Sequence, residues 1–254
     1  MTVDQKILVQ RFGKALTTYD RAATPQQSVA HRLVEMLTEH ISTPPTEVLE
    51  IGCGSGIFTQ ALSRHFAAAR LTVNDLVPDA ESIIRQKLPD TNLTFFAGDA
   101  ETLPWGGGYQ LITSSSCVQW WQDPASFIDK AYDSLAPDGW LALSTYLPDN
   151  LYQLRHISPQ TLQYPDSSAY LQRLSRFERS EWRQEEITLH FSGLLPLLKH
   201  LKETGTNAFT YTHQGVWSPS RITKAEERMR KSLGIDDLAP LPLTYKALLI
   251  IAQK

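Results

Sequence analysis

The sequence predicts an α/β fold: an open, mostly parallel, seven-stranded sheet with helices on both faces. Three observations carry the prediction. Short apolar runs alternate with helical periodicities through the first 147 residues, as in successive βαβ units. The first run, 48–51, leads directly into glycines at 52, 54 and 56 and then a helical pattern of Ile57, Phe58, Ala61, Leu62 and Phe66. Glycines let the backbone approach a ligand closely, and a helix N-terminus offers free N–H groups, so this turn suits a bound cofactor. The second run, 70–75, ends in Asp75, placed 21 residues after Gly54. A carboxylate there accepts hydrogen bonds from two ribose hydroxyls.

Residues 4–22 read as a helix, with Leu8, Phe12, Ala15 and Tyr19 at helical spacing and Gly13 weakening it. Tyr19 either closes over the ligand or packs as an amphipathic side chain. A second helix covers 26–40, and Pro44-Pro45 ends that segment before the first strand. The glycine spacing is G-x-G-x-G with Glu50 two residues ahead, not the G-x-G-x-x-G that seats a dinucleotide pyrophosphate. A helix follows at 78–88 and a third strand at 93–97. Asp99, just beyond it, either reaches the ligand or caps the next turn.

The fourth strand, 109–114, leaves the sheet through Ser114-Ser115-Ser116-Cys117-Val118-Gln119-Trp120-Trp121. Ligands of open α/β sheets lie outside the carboxyl ends of the strands, so this segment borders the reacting group. Trp120 and Trp121 are core residues or ligand walls, and adjacent residues can face one each way. A helix at 124–135, a turn at 136–140 and a fifth strand at 141–146 follow. Residues 148–181 are polar with scattered aromatics and read as a small helical cap over the carboxyl edge, of the kind that selects substrate. A strand at 185–191, a helix at 194–204 ending at Gly205, a basic helix at 218–233 and a strand at 244–252 complete the chain. The expected organisation is one domain. Its parts are covering helices (1–43), a cofactor core (46–147), the cap (148–181) and a sheet-completing portion (182–254).

Bulk properties narrow the classes. The chain has 254 residues, 42% hydrophobic and 20% charged, ordinary for a globular protein. A net charge of −3 argues against general nucleic-acid binding. No apolar run approaches the roughly 20 residues of a membrane span, and residues 1–6 lack a signal-peptide layout. Two cysteines, 53 and 117, form no metal-ligand pair. A cytoplasmic protein without metal is expected.

The G-x-G-x-G loop after Glu50 resembles motif I of the class I S-adenosylmethionine-dependent methyltransferases, as does the Gly98-to-Pro104 string GDAETLP their adenine-side loop. Other stretches look like the malonyl-acyl-carrier-protein O-methyltransferases of biotin biosynthesis. These are Phe12-Gly13-Lys14-Ala15 with Tyr19, Leu103-Pro104, Val118-Gln119-Trp120, Pro148-Asp149-Asn150-Leu151, the stretch 198–208 and Pro242-Leu243-Thr244-Tyr245. Where relatives often carry Gly-Ala-Thr-His, this chain has Gly205-Thr206-Asn207-Ala208.

The resemblance implies a Rossmann-like class I methyltransferase fold and S-adenosylmethionine as cofactor. It places Glu50, Gly52, Cys53, Gly54 and Gly56 around the methionyl part. Asp75 and Leu76 fall at the ribose, Asp99 and Ala100 at the adenine, and Ser115 at the end of the fourth strand. Tyr19, Gln119, Trp120 and Arg155 are the candidates around the reaction, with Arg155 as the cation for a malonyl carboxylate. The implied reaction is methyl esterification of malonyl-acyl carrier protein, or malonyl-coenzyme A. An acidic carrier protein suits a basic patch, drawn from Lys199, His200 and Lys202 or from Arg221, Lys224 and Arg228. The absence of an Asn/Asp-Pro-Pro-aromatic string after the fourth strand argues against methylation of amino nitrogen. A methyltransferase for a small free acid such as trans-aconitate, or for a quinone precursor, is the alternative. A nicotinamide-dependent dehydrogenase or a catalytically silent cofactor-binding module would be readings from other classes.

Overall fold

The computed structural model describes residues 5–157, 163–206 and 218–254. Helix α1 (Gln5–Ala22) and helix α2 (Thr24–His40) are separated by one residue, and Pro25 sits in the first turn of α2, where a missing N–H costs nothing. Val29, Ala30, Leu33, Val34 and Leu37 form the buried stripe of α2. Alternating strands and helices follow: β1 (Glu47–Ile51), α3 (Ile57–His65), β2 (Arg70–Asp75), α4 (Ala80–Lys87), β3 (Leu93–Ala97), β4 (Tyr109–Ser115), α5 (Ser126–Ser134) and β5 (Leu135–Tyr146). The remainder holds α6 (Ser167–Leu171), β6 (Arg179–Phe191), α7 (Leu194–Glu203), α8 (Pro219–Leu233) and β7 (Leu241–Gln253).

The strands form one sheet in the order β3-β2-β1-β4-β5-β7-β6. Strands β1 to β5 pair in parallel, and β7 runs antiparallel between β5 and β6. The strand order reverses between β1 and β4, which opens a crevice at their carboxyl ends. Strand residues alternate between two apolar layers, as a period of two requires. Val48, Leu71, Val73 and Leu111 join α2, α3, α7 and α8 on one face. Leu49, Ile51, Ile112 and Leu141 meet α5 and the 170–177 region on the other.

Three expectations are corrected. The turn expected at 136–140 lies inside β5: Tyr109 pairs with Leu135 but Leu111 with Trp140, so the extra residues bulge out and Asp138 takes φ +60°. The penultimate strand begins at Arg179, not 185, because it pairs with β7 along its whole length. Its charged positions Arg179, Glu181 and Arg183 mask a strand pattern, yet suit a sheet edge, where charge discourages pairing with other chains. The stretch 148–181 is not one cap. Leu151, Leu154 and Ile157 pack into the α2/α8 layer, whereas Tyr170, Leu174 and Phe177 pack against α5 on the opposite face. Asn207 and Ala208, part of the quoted stretch 198–208, lie outside the described residues.

Candidate active site

The crevice holds an open cavity of about 1130 Å³, floored by the carboxyl ends of β1, β2 and β4 and the loop after β3, and roofed by α1. The glycine loop makes its inner wall. Gly52 and Cys53 both donate their N–H to the Asn74 carbonyl at 2.9 Å, which folds the loop back over β2. Gly52 has φ +75°, and a Cβ on it would stand 2.1 Å from Cys117 Sγ, so only glycine fits between β1 and the exit of β4. Gly54, at φ +53°, has nothing within 4 Å of where a Cβ would be: it faces the open cavity.

Asp75 joins this loop to the ribose position. Its Oδ2 accepts the Gly54 N–H at 2.7 Å and its Oδ1 accepts the Val77 N–H at 2.8 Å. Burial pushes its carboxyl up, and the N–H groups of Val77, Gly54 and Leu76 pull it back. Each oxygen keeps a further lone pair for a ligand hydroxyl. Glu50 is more deeply set, 1% exposed, and burial reinforced by the Asp75 charge raises its pKa to about 8. Among the described residues its Oε2 is buried without a hydrogen-bond partner.

The adenine side is built from a distance. Asn74 Nδ2 donates to the carbonyls of Phe96 and Gly98, both at 3.1 Å, and Asp99 Oδ1 accepts the Glu101 N–H at 3.0 Å. Lys130, on α5, donates its Nζ to the carbonyls of Ala100, Glu101 and Leu103 at 2.7, 3.0 and 2.6 Å. The loop that presents Asp99 and Ala100 is thus clamped by a lysine thirty residues away. Burial lowers the Lys130 pKa, opposed by Asp99 and Glu101.

Helix α1 contributes Leu8, Phe12, Leu16 and Tyr19 to the roof. Asp20 ties it down: Asp20 Oδ1 accepts Ser55 Oγ at 2.5 Å, its Oδ2 pairs with Lys87, and Lys87 Nζ also donates to the Ser55 carbonyl at 2.6 Å. Phe12 meets Trp120 edge-on, with centroids 5.3 Å apart. Trp121 meets Trp105 and Phe127 at an angle, yet it lines the cavity as Trp120 does, so the two tryptophans do not divide between cavity and core. Burial raises the Tyr19 hydroxyl far above its ordinary range.

Of the expected site residues, Tyr19, Trp120, Glu50, Gly52, Cys53, Gly54, Asp75, Leu76, Asp99, Ala100 and Ser115 line this one cavity. Gly56 stands behind it as the left-handed residue preceding α3, at φ +85°. Gln119 is buried behind Ser116 and donates Nε2 to its carbonyl at 2.7 Å. Arg155 is outside the wall: its side chain is 53% exposed and ion-paired to Asp149 at 2.7 Å. His200 leaves the basic patch altogether, being buried with Nε2 2.7 Å from Tyr245 Oη. Sequence reasoning missed Gln26, Asn74, Ser116 and Lys130. Only Asn74 and Ser116 had a local signal, as neighbours of Asp75 and Ser115.

The arrangement suits the S-adenosylmethionine that the resemblance implies. A buried carboxyl oxygen without a partner, Glu50 Oε2, suits an ammonium group. The space above Gly54 admits a close ligand, and Asp75 retains acceptor capacity for a ribose.

Comparison with known proteins agrees with this geometry. A family model described as a methyltransferase domain matches residues 10–186. The malonyl-[acyl-carrier protein] O-methyltransferase of Porphyromonas gingivalis is 36% identical over 99% of this chain and 96% of its own length. The protein of the same name from Haemophilus influenzae is 33% identical over 99% and 95%. Among solved structures, the YcgJ protein from Bacillus subtilis superposes with a TM-score of 0.61 at 18% identity, covering 88% of this chain and 98% of its own. The plantazolicin methyltransferase BpumL, in complex with S-adenosylhomocysteine, gives 0.57 at 13% identity over 98% and 95%.

Proposed function

The chain belongs to the malonyl-[acyl-carrier protein] O-methyltransferases, within the methyltransferase-domain family, and from that premise we propose that it methylates the free carboxylate of malonyl-acyl carrier protein, using S-adenosylmethionine. The observation that carries this reading is the reach of the relationship. The family model stops at residue 186, yet the 36% identity spans 99% of the chain, including the C-terminal part that methyltransferases in general need not share.

Bound in the cavity, S-adenosylmethionine supplies a sulfonium methyl that a carboxylate oxygen takes as the sulfur–carbon bond breaks. Glu50 would hold its ammonium group, Asp75 its ribose hydroxyls, and Asp99 with the Ala100 N–H its adenine. A malonyl carboxylate is ionised at neutral pH, so the chain needs no general base. Its residues need only align acceptor and methyl and keep water out. The α1 roof, with Phe12 against Trp120 and Asp20 fastened to Ser55 and Lys87, covers the cavity on one side. Esterification turns an anion into a neutral group, which suits chemistry that next carries the acyl chain through apolar channels.

For the carrier protein, we favour the adjoining α7 and α8. Lys199, Lys202, Lys224 and Arg228 are exposed there, while Arg221 is half-buried. Lys199 sits 3.8 Å from Glu203, a loose surface pair that an acidic partner would readily displace. Among the described residues no helix is long and apolar enough to cross a membrane.

The test is transfer of labelled methyl to malonyl-carrier protein, malonyl-coenzyme A, free malonate and trans-aconitate in parallel, with product masses. One added methyl on the malonyl-carrier protein and little on the free acids is expected. Transfer to the free acids alone would refute the reading in favour of a small-acid methyltransferase.

A further inference from the structure

The cavity wall is chemically one-sided. Its ionisable carboxyls are Glu50, Asp75, Asp99 and Glu101, and among the described residues no lysine, arginine or histidine lines it. A carboxylate acceptor entering this space is drawn by the cofactor's own positive charge, but the described residues of the wall offer no cation to fix its orientation.

Neutral donors stand where a cation would be expected. Ser116 and Gln26 both line the cavity. Ser116 has φ +55°, a left-handed backbone that costs a residue with a side chain about 1–2 kcal/mol. The surroundings hold it there on every side. Its N–H donates to the Ser144 carbonyl at 3.0 Å, its carbonyl accepts Gln119 Nε2 at 2.7 Å, and its Oγ lies 3.1 Å from Tyr146 Oη. Backbone strain held in place in this way clusters at active sites and ligand clamps. Gln26 is 5% exposed, its amide lies within hydrogen-bond reach of Tyr146 and Tyr245, and among the described residues its Oε1 is buried without a partner. A half-turn of the amide lets its oxygen accept from the two tyrosines and frees an N–H in place of the unpartnered atom. Tyr245 is anchored in turn by His200, 2.7 Å away.

Resting on the carboxyl-methylation reading, we infer that Gln26 and Ser116 seat the acceptor carboxylate through hydrogen bonds from uncharged donors, with Tyr146 as the positioning residue that links them. The chemistry favours this choice. An arginine would pair its full positive charge with the carboxylate, often through two parallel hydrogen bonds, and so stabilise the anion before it attacks, lowering its nucleophilicity. An amide N–H and a hydroxyl orient the carboxylate and leave it nucleophilic.

The experiment measures kcat and KM for malonyl-carrier protein, alongside the Kd for S-adenosylhomocysteine, in Gln26→Glu, Ser116→Gly, Tyr146→Phe and Arg155→Ala. Ser116→Gly removes the hydroxyl and relieves the backbone, and a thermal melt by circular dichroism separates a loss of activity from a loss of folding. The first three variants are expected to raise KM roughly tenfold or more, the equivalent of one or two lost hydrogen bonds, with cofactor Kd within roughly threefold. Gln26→Glu places an anion against the carboxylate, so its activity is expected to recover as pH falls and the new carboxyl protonates, a response that a merely structural role would not give. Unchanged KM in the first three, or losses that follow cofactor Kd, overturns the inference, as does a KM effect confined to Arg155→Ala. Wild-type protein inactive on every malonyl thioester would instead remove the function reading itself, and this inference with it.

Discussion

Alanine at Gly52 and alanine at Gly54 should separate folding from cofactor binding, although only Cys53 lies between them. At Gly52 the new Cβ would stand 2.1 Å from Cys117 Sγ and 2.4 Å from Cys117 Cβ, on a backbone at φ +75°. Left-handed geometry costs a non-glycine residue about 1–2 kcal/mol, and overpacking a buried site about 1–3 kcal/mol, together about 2–5 kcal/mol. A domain of this size loses roughly 2–4 °C in Tm per kcal/mol, so Gly52→Ala should melt roughly 4–20 °C lower. At Gly54, φ is +53° but nothing lies within 4 Å, so only the backbone term of about 1–2 kcal/mol applies. The Gly54→Ala methyl projects into the cavity instead, where it should weaken S-adenosylhomocysteine binding about tenfold or more by blocking close approach. Thermal melts by circular dichroism and titration calorimetry on both variants check this. Equal losses of Tm, or an unchanged Kd in Gly54→Ala, would refute the account of the loop.

Glu50 sets a pH dependence. Its folded pKa, about 8, lies above the 4.5 of an unperturbed glutamate, so between those values the folded state holds a proton that the unfolded state has lost. Its contribution therefore makes stability fall as pH rises through that window and level off above about 8; Gln at this position should remove the decline, read from chemical denaturation at several pH values. A cationic ligand beside Glu50 favours the ionised form, so cofactor binding should release a proton near neutrality, detectable by calorimetry in buffers of different ionisation enthalpy and absent in Glu50→Gln. Asp75→Asn sets an amide N–H₂ against the N–H of Gly54 or Val77, now 2.7 and 2.8 Å from carboxylate oxygens. A cost of about 1–3 kcal/mol in stability and a roughly tenfold or greater loss of cofactor affinity are expected. Lys130→Met keeps the aliphatic stem but strips the donor from three carbonyls. It should weaken cofactor binding and speed amide exchange at residues 99–103, while exchange in β1 and β2 stays unchanged.

Most of the fold was legible because it is written locally. The strands at 70–75 and 93–97 fall where the apolar runs place them, and the glycine loop with Asp75 announces the ligand side of the sheet. What local reading missed has a physical cause in each case. The charged half of β6 looks like loop until its thirteen-residue pairing with β7 is seen. The polar stretch 148–181 gives no sign that its two pieces pack on opposite faces, because that division depends on which layer has room for Leu154 and which for Tyr170.

The sequence by itself determined the βα alternation, the cofactor-binding turn and the cavity residues next to it, since glycine spacing and strand-end acids carry their geometry over short distances. Only the tertiary structure decided that Lys130 clamps the loop beside Asp99, that Asp20 fastens the roof to Ser55 and Lys87, and that Arg155 pairs with Asp149 outside the cavity. It alone brought Gln26, Ser116 and Tyr146 together, from α2, the exit of β4 and the end of β5. Their partnership depends on the packing of elements far apart in the chain, which no local propensity or spacing encodes.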